Sequence, residues 1–171
     1  GAFDLPANPN WQSTATFRSV PADQRAALAS DLGELLLLAA RARLDEGKIA
    51  DPAGATNDAR ILNRLAFTCF GDAPPPFAFK QRSEIDGEPI AESSPRTSRD
   101  WFLEGVALVG ALKHDAAVRP LEKAVALQPD HGAAQFELAR CRQQVGQYEA
   151  AVERYQLAGA LLPNDPRPVY S

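Results

Sequence analysis

The feature that most constrains the fold is an internal repeat with a spacing of 34 residues. When Pro129 is aligned with Pro163, residues 98–131 align with residues 132–165. Small or apolar side chains then occupy equivalent places: Gly105 and Ala139, Ala117 and Ala151, Leu121 and Tyr155, Ala124 and Ala158. Such a period predicts stacked copies of one structural unit, because each copy buries its apolar face against its neighbours.

Each unit has the pattern of two helices. In the second unit, apolar residues at three- and four-residue steps predict helices over 131–145 and 147–162. We expect Asp130 to cap the first of these helices, Gly146 to end it, and Pro163 to end the second. The small residues lie where two antiparallel helices come closest, so that a large side chain from one helix fits beside a small one.

The first unit follows the same plan, with helices predicted over 98–112 and 115–127. Thr97 and Asp100 have the spacing of a capping box at the start of the first helix. Pro120 lies inside the second helix and is expected to weaken or kink it, since proline removes a backbone donor and crowds the preceding turn.

This pattern resembles the tetratricopeptide repeat, a helix-turn-helix unit of 34 residues. The resemblance implies an all-α fold of antiparallel helix-turn-helix repeats, a tetratricopeptide-like α-solenoid. Two positions depart from the family pattern: Pro120, and Arg142 where the family usually has an aromatic residue. The matching residues are Trp101, Gly105, Ala117, Leu121, Ala124 and Pro129 in the first unit, and Leu138, Ala139, Gly146, Tyr148, Ala151, Tyr155, Ala158 and Pro163 in the second.

Residues 21–87, upstream of these two units, are predicted to form a degenerate helical repeat. Apolar periodicity favours helices over 21–44 and 56–70, joined by an exposed loop, "DEGKIADPAG", and then a short helix over 77–86. Residues 1–20, which carry Phe3, Trp11 and Phe17 among Pro, Asn and Ser, predict an extended N-terminal arm lying on the helices. The predicted organisation is therefore an arm (1–20), a degenerate repeat region (21–87), a linker (88–97), two repeats (98–165), and the start of a further helix or a tail (166–171).

Almost the whole chain also resembles a narrower group. The order "NPNWQSTATFRSVPADQRAALASDLGELLLLAARARL", "LNRLAFTCF", "PPPFAFKQR" and "SPRTSRDWFLEGVAL" is similar to the repeat-containing region that follows the catalytic domain of large bacterial serine/threonine protein kinases. The kinase lobe itself has no counterpart, because the phosphate loop, the strand lysine and the catalytic-loop motifs are missing. The first residue is not methionine and "NDPRPVYS" repeats a helix-start pattern, so we expect the natural protein to continue past Ser171.

Composition and residue spacing argue against most other classes. A formal net charge of −4 makes a nucleic-acid partner unexpected, and the apolar run 35–40 is too short to cross a bilayer. Cys69 and Cys141 are interpreted as buried hydrophobic residues of a reducing compartment, which favours a cytoplasmic location. His114 and His131 lack a second ligand at metal spacing, so we interpret them as solvated or capping residues. We therefore predict no catalytic residues, no cofactor and no metal.

What remains for function is the surface. In tetratricopeptide arrays the first helix of each unit lines a concave groove that binds peptides or partner helices, and the resemblance puts seven residues there. They are Arg99, Phe102, Val106, Phe136, Arg140, Gln143 and Gln144. The alternative is that Phe102, Val106 and Phe136 pack against a neighbouring repeat. The resulting hypothesis is a non-catalytic protein–protein interaction module, the regulatory or scaffolding region of a bacterial serine/threonine kinase. The alternative is a stand-alone repeat subunit that holds a multiprotein complex together.

Overall fold

The computed structural model describes residues 11–87 and 94–163, apart from the side chains of residues 48–50. Within these ranges the chain is helical and contains no strand, so the all-α prediction is confirmed. The chain forms two compact units, residues 1–93 and 94–171. After a 3-10 helix at Trp11–Ser13, the helices are α1 (Ala15–Arg18), α2 (Ala22–Ala50), α3 (Pro52–Phe70), α4 (Pro76–Asp86), α5 (Ser98–Gly110), α6 (His114–Leu127), α7 (Gly132–Gln144) and α8 (Tyr148–Leu161).

The first unit is built on an antiparallel hairpin of α2 and α3. Near the open end of the hairpin Gly33 lies against the ring of Phe70, and near the turn Gly47 lies against Ala55. In both places a side chain on the glycine would collide with the opposite helix, so glycine permits the close approach. Helix α4 closes this unit, where Ile85 packs on apolar residues of α2 and α3.

The prediction of an exposed loop between α2 and α3 is wrong. Helix α2 continues to Ala50, and α3 begins at Pro52 after the single residue Asp51. The reason is local: the Asp51 side chain accepts a hydrogen bond from the Gly54 N–H at 3.0 Å, and Pro52 occupies the first helical position. An Asp-Pro pair is a strong helix start, because the carboxylate satisfies a free N–H and proline has none to lose.

The described part of the N-terminal arm is helical, which corrects the prediction of an extended segment. Trp11 belongs to the 3-10 helix and Phe17 to α1, and their rings meet edge to face with centroids 4.7 Å apart. Both side chains are buried, and Gln12 Nε2 donates to the Thr68 carbonyl at 3.1 Å. This segment therefore lies on the helices of the first unit. Residues 1–10, including Phe3, lie outside the described residues.

The second unit contains the two predicted helix pairs, α5 with α6 and α7 with α8. Ser98 Oγ donates to the Ala124 carbonyl at 2.9 Å, so the start of α5 meets the end of α6 and the pair is antiparallel. A Cβ on Gly105 would lie 2.6 Å from Cγ of Leu121, a fully buried residue. The predicted role of the small residues is confirmed: Ala117, Ala124, Ala139, Ala151 and Ala158 are all buried at helix contacts.

The two intra-repeat turns have the same geometry but different residues. After α7, Gly146 has a φ of 82°, and Gln147 N–H donates to the Arg142 carbonyl at 2.8 Å. After α5, the equivalent residue is Leu112, with a φ of 59°, and Lys113 N–H donates to the Leu108 carbonyl at 2.9 Å. The first turn thus places a leucine in the left-handed conformation that usually needs glycine.

The helix starts partly follow the sequence pattern. The predicted capping box is present, because Thr97 Oγ1 accepts from the Asp100 N–H at 3.1 Å while the Asp100 carboxylate accepts from the Thr97 N–H at 2.9 Å. The predicted Asp130 cap is wrong: His131 Nδ1 accepts from the Ala134 N–H at 3.1 Å instead. Burial lowers the pKa of His131, and the neutral ring has the unprotonated nitrogen that this bond requires.

The two departures from the family pattern are accommodated inside the second unit. Helix α6 runs from His114 to Leu127 with Pro120 buried within it, so the proline does not end the helix. Arg142 Nη2 donates to Glu122 Oε1 at 2.8 Å, which links α7 to α6. An ion pair between successive repeats therefore occupies the place where the family usually has an aromatic side chain.

Candidate functional site

Three of the seven predicted groove residues share one face of α5. Arg99, Phe102 and Val106 follow at steps of three and four residues, which places them on one side of a helix. Arg99 and Val106 are half-buried, whereas Phe102 is only 8% exposed. The Phe102 ring lies 4.8 Å, centroid to centroid, from the imidazole of His131 in the second repeat. Phe102 is thus packed between repeats and offers little area to a ligand.

The other four residues belong to α7, where their spacing places them on one broad face of the helix. Phe136 is buried against Tyr155 of α8, with ring centroids 5.7 Å apart, and Gln143 Oε1 accepts from the Tyr155 hydroxyl at 2.7 Å. Arg140 and Gln144, one turn apart on the same face, are half-buried and exposed, respectively. Phe136 therefore packs within its own repeat, while Arg140 and Gln144 remain at the surface.

Charge on this surface is partly compensated. Arg140 Nη2 lies 2.7 Å from Glu137 Oε2, an ion pair one turn apart on α7. At the start of the same helix, burial lowers the pKa of His131, and the positive charge of Arg99 acts in the same direction. The surface thus presents guanidinium and amide groups, with one carboxylate among them.

The two cysteines, Cys69 and Cys141, are poorly placed for nucleophilic chemistry. Burial raises the pKa of both Cys69 and Cys141 to about 11, so each thiol is protonated at neutral pH and is a poor nucleophile. Both cysteines are buried and free, which confirms their interpretation as core residues. Among residues 11–87 and 94–163, no three His, Cys, Asp or Glu side chains are grouped as metal ligands.

Two features of this region were not anticipated from the sequence. Capping was one of the two roles expected for His131, and packing against a neighbouring repeat was the alternative expected for Phe102; the contact between these two rings had no signal of its own. The left-handed leucine at position 112 could have been found by aligning it with Gly146. Of the helices in the described ranges, none has both the length and the apolar character that crossing a bilayer requires.

Comparison with known proteins supports the repeat. A family model described as Tetratricopeptide repeat matches residues 108–169, which is just over a third of the chain. The matched span begins in α5 and includes α6, α7 and α8. No curated protein sequence matches the chain. Together with the helix pairs described above, the match supports a tetratricopeptide repeat protein, a class whose members are typically protein–protein interaction modules.

Proposed function

We propose that the chain is a non-catalytic module that binds a protein partner through the surface formed by α5 and α7. The observation that carries this proposal is the family match over residues 108–169, which contains α7 with Arg140 and Gln144 at its surface and begins near the end of α5, after Arg99 and Val106. Arg99, Arg140 and Gln144 are the groups available for contact, with Val106 beside them. Two guanidinium groups and an amide suit a peptide with an acidic residue.

The burial of Phe102 and Phe136 limits the apolar contact that such a peptide can make. Both rings are already packed, so the apolar part of the contact is reduced to Val106 and the edges of the rings. Exposed ionic contacts are individually weak, so we expect micromolar affinity, about −8 kcal/mol.

The test is a pull-down with the full chain, followed by titration of the partner it captures against variants. Arg99→Ala/Arg140→Ala removes both positive charges, and Gln144→Glu adds a repelling charge without disturbing an ion pair. The control, Lys113→Ala/Arg119→Ala, loses the same charge from exposed positions elsewhere in the second unit. We expect both test variants to weaken binding and the control to bind normally. Equal binding by all folded variants would remove this surface from the proposal.

We further propose, on the resemblance alone, that the module is the regulatory or scaffolding region of a bacterial serine/threonine kinase, in the cytoplasm. The alternative is a stand-alone subunit of a multiprotein complex. Sequencing the natural polypeptide before Gly1 distinguishes the two. A kinase lobe would support the first proposal, and an initiating methionine shortly before Gly1 would support the second.

A further inference from the structure

A cleft of about 380 Å³ in the first unit is lined almost entirely by polar side chains. Its lining residues are Arg60, Asn63, Arg64, Arg82, Ile85 and Asp86. The volume lies near the lower end of the range for small-ligand sites, about 300–1,000 Å³. Three arginines and a single aspartate therefore line one small space, in a chain whose formal net charge is −4. A positive site of this size calls for a ligand that carries negative charge.

The three arginines are held to different degrees. Arg60 Nε lies 2.8 Å from Asp86 Oδ1, so its charge is partly compensated. The guanidinium carbon of Arg82 lies 3.6 Å from the centroid of the Phe67 ring, and Arg82 Nε donates to Asn63 Oδ1 at 3.3 Å. Arg64 is exposed on α3, one turn from Arg60. The cleft thus combines an exposed arginine, Arg64, with one that is held in place by its contacts, Arg82.

Arg82 is fixed by a buried polar network that spans three helices. Asn63 Nδ2 donates to Gln81 Oε1 at 2.9 Å and to the Ala78 carbonyl at 3.1 Å, and Gln81 Nε2 donates to the Leu37 carbonyl at 2.9 Å. Asn63 is 2% exposed and Gln81 1% exposed. Buried amides are costly unless they are fully bonded, and here their bonds orient the one amide oxygen that meets Arg82. A preorganised guanidinium loses less freedom when it binds an anion.

We propose that this cleft binds an oxyanion, a phosphate or a carboxylate, through Arg64 and Arg82, with Arg60 as a third donor. The guanidinium fork matches both kinds of oxyanion, because two parallel N–H groups can donate to two oxygens. The three arginines and the small volume suit a single anionic group, either free or carried on a peptide side chain. The cleft belongs to the first unit, so the proposal of an oxyanion site does not depend on the proposed partner surface of α5 and α7.

The experiment is a nuclear magnetic resonance titration of the full chain that follows the arginine side-chain Nε–H signals. The probes are inorganic phosphate, a peptide with one phosphoserine, the same peptide with glutamate at that place, and the same peptide with serine. We expect the Arg64 and Arg82 signals to shift and saturate with the anionic probes and not with the serine peptide. Saturation by free phosphate alone identifies a small-ion site, and tighter binding of either anionic peptide identifies a side-chain site.

Variants make the assignment specific. Because a hydrogen bond to a charged group contributes about 1.5–3 kcal/mol, Arg64→Gln should weaken binding by about tenfold or more. Arg64→Lys, which keeps the charge but loses the fork, should weaken it less. The control Arg43→Gln removes the same charge from an exposed position of α2 outside the cleft and should bind normally. The proposal is overturned if no probe shifts the Arg64 and Arg82 signals, or if Arg64→Gln binds as tightly as the control.

Discussion

Leu112 is the position where a single substitution should stabilise the protein. Its φ of 59° lies in the left-handed region, which costs an L-residue with a side chain roughly 1–2 kcal/mol. The side chain is 79% exposed, so its removal loses little apolar burial. Glycine avoids the backbone cost but adds freedom to the unfolded chain, so the expected net gain for Leu112→Gly is about 0.5–1 kcal/mol.

The equivalent turn of the second repeat supplies the matched control. Gly146 has a φ of 82°, and a Cβ built there has no neighbour within 4 Å. Gly146→Ala therefore meets no steric obstacle, and the backbone strain that it adds should exceed the freedom that it removes from the unfolded chain, so that stability falls by about 1 kcal/mol. Leu112→Ala keeps the strain and removes most of the side chain, so it should leave stability nearly unchanged. These three variants separate the backbone contribution from that of the side chain.

The measurement is urea unfolding of the full chain, followed by far-ultraviolet circular dichroism and compared with thermal melting. For a unit of this size, 1 kcal/mol corresponds to about 4–8 °C in Tm, so Leu112→Gly should raise the melting temperature of the second unit by a few degrees. The reasoning would be refuted if Leu112→Gly lowered stability, or if Leu112→Ala cost as much as Gly146→Ala. Either result would mean that the leucine side chain, and not the backbone, determines the turn.

Three further results are expected. Ala151→Leu should overpack the α7–α8 contact, where Ala151 is 2% exposed, and lower the unfolding free energy by roughly 1–3 kcal/mol; an unchanged melting curve would show that the repeat register is wrong. Asp100→Ala should cost about 0.5–2 kcal/mol in urea unfolding, because the Thr97 N–H loses its acceptor; a neutral result would argue against the capping box. Burial raises the pKa of Cys69 and Cys141 to about 11, so both thiols should react slowly with an alkylating reagent at pH 8 and rapidly in denaturant. Mass spectrometry follows the labelling, and rapid labelling of the folded chain would contradict their burial.

The fold of the second unit could be predicted because its information is local. A residue such as Gly105 lies at a fixed helical step from its neighbours, and the repeat supplies a second copy, Ala139, that tests the assignment. The capping box at Thr97 depends on a spacing of three residues and was equally readable. The first unit lacks an internal copy, and there the Asp51-Pro52 helix start was mistaken for part of a loop.

The candidate surfaces were harder to predict, because they depend on contacts between helices that are distant in sequence. Spacing places Phe102 on the same helix face as Arg99, but only the position of His131 shows that the ring is covered. Likewise, Arg64 and Arg82 are 18 positions apart, and nothing in either segment indicates that α4 packs on α3 with both arginines lining one cleft. The net charge of the chain does not reveal such a cluster, because it is a sum over all residues and says nothing of where they lie.

The small number of arginines in the cleft limits the kind of anion that the cleft can bind. Binding a nucleic acid draws on many phosphates at once, because affinity grows with each counterion released. The cleft offers three guanidinium groups, of which Arg60 is already paired with Asp86, so it can neutralise only a few charges of a ligand. The proposed ligand, an isolated phosphate or carboxylate, matches that small number of cations. We therefore expect little change of affinity when further negative charges are added to the peptide probe away from its anchor, because exposed charges far from the cleft are screened. Affinity that rose with every added charge would instead indicate a diffuse electrostatic attraction, for which the geometry of the cleft would be irrelevant.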